Sequence, residues 1–364
     1  MLLNIVKTFR NIALGILIST TIIIIGCCLF YNYQLSPVSN STELIEIEIP
    51  NKTSAKGIAT ILKEKKLIRD ERMFLIYVKL MKVNNMKAGY YDLTPDMGVK
   101  KIVEALQNGS KKNPNEIEIT FKEGITMRDI AKVISTNTNN TYEEVIEKSN
   151  DIVYIDSLIK KYWFITEDIK NDSIYYKLEG YLFPDTYRFN NKDVTVEEIF
   201  NKMISEMSTV LEPYKNDIEK SSLSIHEILT LASMVEKEAA TESVRGQVAS
   251  VFMNRIKIGM SLGSDVTTRY AFKVDNPKQV LTKVQYNTRN PYNTRVTDGS
   301  MNGKLPVGPI CTLSKSSIKA SIYPSNTDYL YFIANIKTLE TFFYTNSSGF
   351  EQKKNELQSV NGGF

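Results

Sequence analysis

Residues 224–265 read SIHEILTLASMVEKEAATESVRGQVASVFMNRIKIGMSLGSD, and their reading organises the rest of the chain. Ser224, with Glu227 three residues on, is the pattern of a capping box, so a helix is expected to start there. Ile228, Leu231, Ala232, Val235 and Ala239 then recur at spacings of three and four, the period of an amphipathic helix. After a short polar break, Val248, Val251, Phe252, Arg255 and Ile256 define a second helix over residues 244–258. Gly259 ends it, and a loop is expected over residues 262–270. Near the end of the first helix stands Glu236-Lys237-Glu238. At about 100° per residue the two glutamates lie about 200° apart, on opposite flanks of the apolar stripe. Both cannot face one site, and helix geometry alone does not choose between them. The plain alternative for such a charge run is a solvated helix surface.

Other stretches stand out on either side. Residues 178–189 read LEGYLFPDTYRF, residues 290–295 NPYNTR, residues 305–310 LPVGPI and residues 329–334 YLYFIA. With LASMVEKEA (231–239), VASVFMNRIKIGMSLGSD (248–265) and TRYA (268–271), they resemble the YceG-like family of endolytic murein transglycosylases. That family carries an A-S-x-(V/I)-E-K-E helix, a V-A-x-V-F-x-N-R-L helix, a loop close to L-Q-S-D-x-T-x-x-Y, and L-E-G-Y-L-F-P-D-T-Y, S-P-Y-N-T-Y and L-P-P-G-P-I segments. The resemblance covers most of residues 45–350.

By position, the resemblance makes Glu238 the catalytic acid. It nominates Asn254, Arg255, Ser264, Asp265 and Thr267 for substrate binding, together with Glu179, Tyr181, Asp185 and Tyr187 of the LEGY segment and Tyr292, Asn293 and Thr294 downstream. Sugar rings present apolar faces to aromatic side chains while their hydroxyls need convergent polar groups, which such a set can supply. For the LEGY segment the alternative is a packed turn with tyrosines in the core. The chain departs from the pattern at Gly263 (glutamine in the family), Lys52 (glycine), Glu340 (histidine), and residues 298–304, which read as an extra loop. YLYFIA corresponds to a buried strand.

The implied fold class is α+β: an N-terminal transmembrane helix, a membrane-proximal LysM-like α+β subdomain, then a mixed helix/strand catalytic domain. The expected boundaries are a cytoplasmic N-terminus (1–11), the transmembrane helix (12–31), a linker (32–44), the LysM-like domain (45–112) and the catalytic domain (113–364). At 364 residues the chain has room for two or three compact units. The apolar run is long enough to span a bilayer, and Lys7 and Arg10 before it keep the N-terminus cytoplasmic and the rest outside. Two alternatives stay open: a cleaved secretory peptide, for which no small-residue site stands out, and lipidation at Cys27, where Ile24-Ile25-Gly26-Cys27 resembles a lipoprotein box.

An internal repeat follows the linker. IEIEIPNKTSAKGIATIL (45–62) aligns without gaps on IEITFKEGITMRDIAKVI (117–134). In both, alternating apolar residues give a strand, a polar turn follows, and Ser54 or Thr126 caps a helix. The first copy continues through a helix (71–81), a returning strand (88–93) and a helix (98–108). Its alternative to a LysM-like role is a small spacer with no ligand. Residues 140–171 are polar and helical, and a further helix covers 194–212.

Composition narrows the chemistry. The formal net charge of +4 is too small to argue for nucleic acid. Cys27 and Cys28 lie in the apolar run, leaving Cys311 alone, so no disulfide framework forms within one exported chain. His226 is the only histidine, which argues against a metal cluster or a serine or cysteine nucleophile system, and it reads as an ordinary first-turn residue. No metal or cofactor is expected.

Hydrolases that cut glycosidic bonds generally need two carboxylates, whereas a lytic transglycosylase can use one. The acid protonates the oxygen joining MurNAc to GlcNAc, the sugar's own C6 hydroxyl closes on C1, and the same glutamate takes the hydroxyl proton. The nucleophile is intramolecular, which lowers the entropic cost. Glu238 must then stay protonated near neutral pH. Leu231, Met234 and Val235 are candidates for the apolar surroundings, and Asp265 and Glu242 for helpers. The resemblance implies a membrane-anchored enzyme that cuts the β-1,4 bond within nascent strands, leaves 1,6-anhydro-MurNAc ends and terminates elongation. Its partners would be peptidoglycan glycan strands, the membrane and peptidoglycan synthases (penicillin-binding proteins), with no nucleic acid. The rival readings are a non-enzymatic wall-binding scaffold and a muramidase.

Overall fold

The structure is a computed structural model that describes residues 2–109, 111, 113–276 and 278–358. The chain forms two compact units, Met1–Glu116 and Ile117–Phe364.

The first unit opens with helix α1 (Leu2–Leu35), which carries an apolar span over Asn11–Leu35 with its side chains outward. Among the described residues it is the one helix long and apolar enough to cross a membrane. Within that span the Ser19, Thr20 and Thr21 hydroxyls donate to the carbonyls of Gly15, Ile16 and Leu17 at 2.6, 2.9 and 2.7 Å. Such self-pairing is what a hydrocarbon environment demands. The helix runs past residue 31 to Leu35, so the connection to the first strand is shorter than the 32–44 linker read from composition.

Strand β1 (Ile45–Ile49), helices α2 (Ala55–Glu64) and α3 (Glu71–Leu80), strand β2 (Gly89–Leu93) and helix α4 (Val99–Asn108) complete the unit. The strands pair antiparallel, Ile45 opposite Leu93 and Ile49 opposite Gly89. Alternation turns Ile47 and Ile49 inward and Glu46 and Glu48 outward, the period-two burial of a one-sided sheet. The core closes with Leu62, Phe74, Tyr91, Ile102 and Leu106. Ser54 caps α2 by accepting from the Gly57 amide at 3.2 Å. Between β1 and α2, Lys52 sits at φ +64°, and the aligned residue of the second repeat copy is Gly124 at φ +71°. The turn itself requires the left-handed conformation, and holding a lysine there costs about 1 kcal/mol.

The second unit begins with the other repeat copy, strand β3 (Ile117–Thr120) and helix α5 (Met127–Asn137), whose Thr126 cap forms a capping box with Asp129. Helices α6 (Tyr142–Asn150) and α7 (Ile152–Lys161) follow, separated by Asp151, which caps α7. Strand β4 (Thr186–Phe189) returns antiparallel to β3, Ile119 opposite Tyr187. Both units thus pair the repeat's strand with a strand that returns after intervening helices. Then come α8 (Val196–Leu211), α9 (Lys215–Glu219), α10 (Ile225–Glu238), α11 (Arg245–Lys257), α12 (Asp265–Ala271), α13 (Lys283–Asn287), α14 (Lys315–Ile322), strands β5 (Tyr331–Ala334) and β6 (Thr341–Tyr344), and α15 (Ser347–Leu357).

Helix α10 is the axis of this unit and packs against α11 and α14. It starts with the Ser224–Glu227 capping box. It is not amphipathic as its spacing suggested: every residue from Ile225 to Val235 except Glu227 is buried. The polar members bury because they bond locally. The Thr230 hydroxyl donates to the His226 carbonyl and the Ser233 hydroxyl to the Thr230 carbonyl, both at 2.7 Å, and Ser233 Oγ accepts from the Ile310 amide. His226 is likewise no ordinary first-turn residue. Its ring bridges the Tyr181 hydroxyl at 2.7 Å and the Val307 carbonyl at 2.8 Å inside the core. Two further expectations are corrected. Residues 265–271 form a helix rather than continuing a loop, and β5 is not a buried strand, since only Ile333 is buried in its hairpin with β6.

Candidate active site

The last turn of α10 is where the buried helix emerges, and it sends its three charged side chains to three places. Glu236 turns to the α11 and α14 side. It accepts from Arg245 Nη2 at 2.9 Å and from the Ser314 amide at 3.0 Å, with side chains only 6% and 12% exposed for Glu236 and Arg245. Arg245 Nη1 also donates to Ser314 Oγ at 2.7 Å, so this ion pair ties the end of α10 to the starts of α11 and α14. Lys237 Nζ donates to the Gly124 carbonyl at 3.1 Å. Glu238 points the other way, and Ser264 Oγ donates to its Oε1 at 2.6 Å.

Ser264 occupies the N-cap position of α12, yet its side chain makes no cap bond. A serine there ordinarily accepts from the second or third amide of its helix. Here the hydroxyl is committed to Glu238, and the backbone is held by a threonine pair instead. The Ser264 amide donates to Thr294 Oγ1 at 3.1 Å, Thr267 Oγ1 donates to the Ser264 carbonyl at 2.7 Å, and the two threonine hydroxyls meet at 2.8 Å. Thr267 and Thr294 are fully buried, so they fix the carboxylate's partner rather than meet a ligand.

Charges complete the surroundings. Asp265 follows Ser264 and faces Arg295, whose Nη1 lies 2.8 Å from Asp265 Oδ1. Arg255 is held by the carbonyls of Leu330 and Leu262, both at 2.7 Å, with its guanidinium 5.3 Å from the centre of the Tyr331 ring. Burial pushes the Glu238 carboxyl above its ordinary value, and the Asp265 charge pushes the same way. The Ser264 bond, Arg295 and Arg255 oppose that rise. The net direction is that of a carboxyl biased toward keeping its proton, which general acid chemistry requires. Glu242, the other helper considered, lies 3.9 Å from Arg245 on the Glu236 side and is largely exposed.

The family model for the YceG-like family matches residues 47–356. The chain belongs to that family. An endolytic murein transglycosylase of Bacillus subtilis (strain 168) is 34% identical to this YceG-like chain over 342 residues, covering 93% of the chain and 92% of the relative. One from Streptococcus pneumoniae serotype 2 is 30% identical over 351 residues, 91% of this chain but 62% of the relative. A crystal structure of a yceG-like protein from Listeria monocytogenes superposes with a TM-score of 0.60 at 36% identity, covering 86% of this chain and 99% of that one.

The candidate residues divide into two groups in this YceG-like fold. Glu238, Ser264, Asp265 and Arg255 converge with Thr267 and Thr294 behind them. The LEGY segment does not join them as exposed binding groups. Glu179 is 1% exposed, accepting from the Met127 amide at 2.9 and 3.0 Å and from the Tyr270 hydroxyl at 2.9 Å. Burial drives its carboxyl up to about 7. Tyr181 is fully buried on His226, and Tyr187 donates to the Phe183 carbonyl at 2.8 Å. Asp185 is exposed at the start of β4, where it accepts from the Thr186 amide. Tyr292 is buried in a ring cluster with Tyr270 and Tyr175, centroids 4.7 and 4.8 Å away. Asn293 is buried too, donating to the carbonyls of Gln285, Tyr286 and Thr288 and so closing the loop around α13. Asn254 is spent on the carbonyls of Thr327 and Tyr329. Apart from the exposed Asp185, these side chains are spent on contacts within the protein.

The departures from the family pattern also find places. Gly263 stands at φ +61°, and a Cβ there would come within 3.3 Å of Arg255 Nη1. Its carbonyl accepts from Arg295 Nη1 at 3.1 Å. Glu340 lies exposed in the β5–β6 turn. Sequence reasoning missed Arg295, although it sits beside Thr294 in a quoted motif, and it missed the pairing of Glu236 with Arg245.

Proposed function

We propose that this chain is an endolytic murein transglycosylase that cuts the MurNAc–GlcNAc bond within glycan strands and leaves 1,6-anhydro-MurNAc ends. The observation that carries this reading is the 34% identity, over 93% of the chain, to a protein of that name. The geometry of Glu238 supports it. A half-buried carboxyl biased toward its protonated form can protonate the glycosidic oxygen. Once ionised, it can take the proton of the C6 hydroxyl that closes on C1. The Ser264 hydroxyl, free of any capping bond, orients the carboxyl. Asp265 is paired with Arg295, whereas the Glu238 carboxyl takes its hydrogen bond from the neutral Ser264 hydroxyl.

The apolar span of α1 anchors the chain in the cell membrane as a single pass with the N-terminus cytoplasmic and the site outside. The charges at Lys7 and Arg10 support this orientation. The region 45–112 acts as a LysM-like module that holds glycan near the membrane, and 113–364 forms the catalytic domain. The strand–helix–helix–strand order from β1 to β2 supports the first assignment. A membrane-proximal cutter meets strands as they are made, so the synthases that extend them are the partners its position favours.

Mass analysis of products from purified glycan strands tests the reaction. Ring closure without water gives ends lighter by one water than hydrolysis does. Products that carry only reducing MurNAc ends would make the protein a muramidase.

A further inference from the structure

Arg295 stands beside the proposed acid with most of its binding capacity unspent. Its side chain is 41% exposed, and its guanidinium lies 4.8 Å from the centre of the Tyr286 ring. Only Nη1 is engaged, donating to the Gly263 carbonyl at 3.1 Å and lying 2.8 Å from Asp265 Oδ1. Among the described residues, Nε and Nη2 make no hydrogen bond. Its cationic neighbours differ. Arg255 is committed to Leu330 and Leu262, and Arg269 to the carbonyls of Asn276 and Gln279. The contact with Asp265 is also incomplete: Asp265 Oδ1 is shielded from solvent and receives no properly directed hydrogen bond. An arginine fork matches a carboxylate best when two parallel N–H groups point at it, and this pair does not achieve that.

We propose that Arg295 is a substrate-binding residue that takes a carboxylate of the peptide stems carried by the glycan strand, exchanging its contact with Asp265 for a two-pronged one through the free Nη2 and Nε edge. This rests on the transglycosylase reading. Glycan sugars joined to peptide are neutral at the cut bond, so the anionic part of the substrate is its stems, and Arg295 is the half-exposed cation beside Glu238 with donors to spare. The guanidinium carbon lies 4.8 Å from the centre of the Tyr286 ring, and a turn of the free edge toward substrate can keep that contact. The Asp265 carboxylate beside Glu238 favours the protonated acid, and Arg295 opposes it, so a turn of Arg295 toward substrate favours the proton further. Stem-bearing strands would therefore both bind and promote the working form of the acid.

The test uses the full chain in detergent with two substrates: strands with free stem carboxylates, and the same strands with those carboxylates converted to amides. A charge-assisted pair is worth about 1.5–3 kcal/mol, so wild type should prefer the free form by at least about tenfold in kcat/KM, chiefly through KM. Arg295→Gln should bring the ratio close to one, and Arg295→Lys, which keeps charge but not the fork, should fall between. Equal wild-type rates on both substrates overturn the assignment, as does an Arg295→Gln variant that keeps the wild-type ratio. A melt checks each variant, and the wild-type ratio decides even where a variant fails to fold. Anhydro-ended products without a preference defeat the Arg295 proposal alone, whereas absence of anhydro ends from both substrates defeats the transglycosylase reading on which it stands.

Discussion

Ser264→Ala removes one hydroxyl and isolates what that hydroxyl does for Glu238. The lost bond is 2.6 Å long, within the short range of a hydroxyl donating to a carboxylate. Bonds to charged groups are worth about 1.5–3 kcal/mol, and a protonated carboxyl keeps a weaker version of the same contact. About half of that, roughly 1 kcal/mol, then separates the two protonation states. The sign follows from the donor. Ser264 favours the ionised carboxylate and opposes the rise caused by burial, so its removal lifts Glu238 further. A general acid works when protonated, so the alkaline limb of kcat/KM against pH should move up. On the acid side of the profile the rate should fall by roughly tenfold, because the carboxyl loses its orienting partner. The fold should hardly notice, since Ser264 makes no capping bond to α12. The assay is the initial rate of anhydro-end formation across the neutral pH range, with a thermal melt beside it. An alkaline limb that stays in place or moves down refutes the reasoning.

Glu179→Gln tests a different buried carboxyl. Its proton affinity is raised to about 7 from an ordinary 4.5, so its contribution to stability is full below about 4.5 and is lost as pH rises through about 7. The difference amounts to about 3 kcal/mol. Wild-type Tm should therefore fall across that window and the Gln variant's should fall less, Glu238 adding a smaller slope of the same sign. Parallel curves for the two proteins would show that Glu179 is not the titrating group. Glu236→Gln removes the partner of a nearly buried arginine and should destabilise by about 3 kcal/mol in a denaturant melt, while the folded fraction still cuts glycan. A variant as stable as wild type would contradict the pairing's structural role.

Local signals made much of this structure legible. Alternating isoleucines gave β1 and β3, and Ser224, Thr126 and Ser54 marked helix starts because capping is a contact among near neighbours. The opposition of Glu236 and Glu238 follows from helix rotation alone, and the structure sends them to different partners. What escaped involves residues far apart in sequence. Nothing near Thr294 announces that it will hold Ser264 from 30 residues away. The LEGY segment offers a carboxylate and tyrosines that look available in the letters, but Glu179 finds Met127 and Tyr270, and Tyr181 finds His226, so the core absorbs them. Helix α12 was hidden because its 7 residues make only about two turns, too few for an apolar period to show. The all-round burial of α10 was hidden because Thr230 and Ser233 look polar yet satisfy themselves on their own helix.

The central claim is that Glu238 is the acid, and the glycan-cutting rate of folded Glu238→Gln tests it most directly. Glutamine keeps the size and can still accept from Ser264, but it has no proton to give. The variant should melt like wild type and lose at least about a hundredfold in the rate of anhydro-end formation, the low end for a general acid's contribution. A folded Glu238→Gln protein that still cuts strands at the wild-type rate would contradict the account.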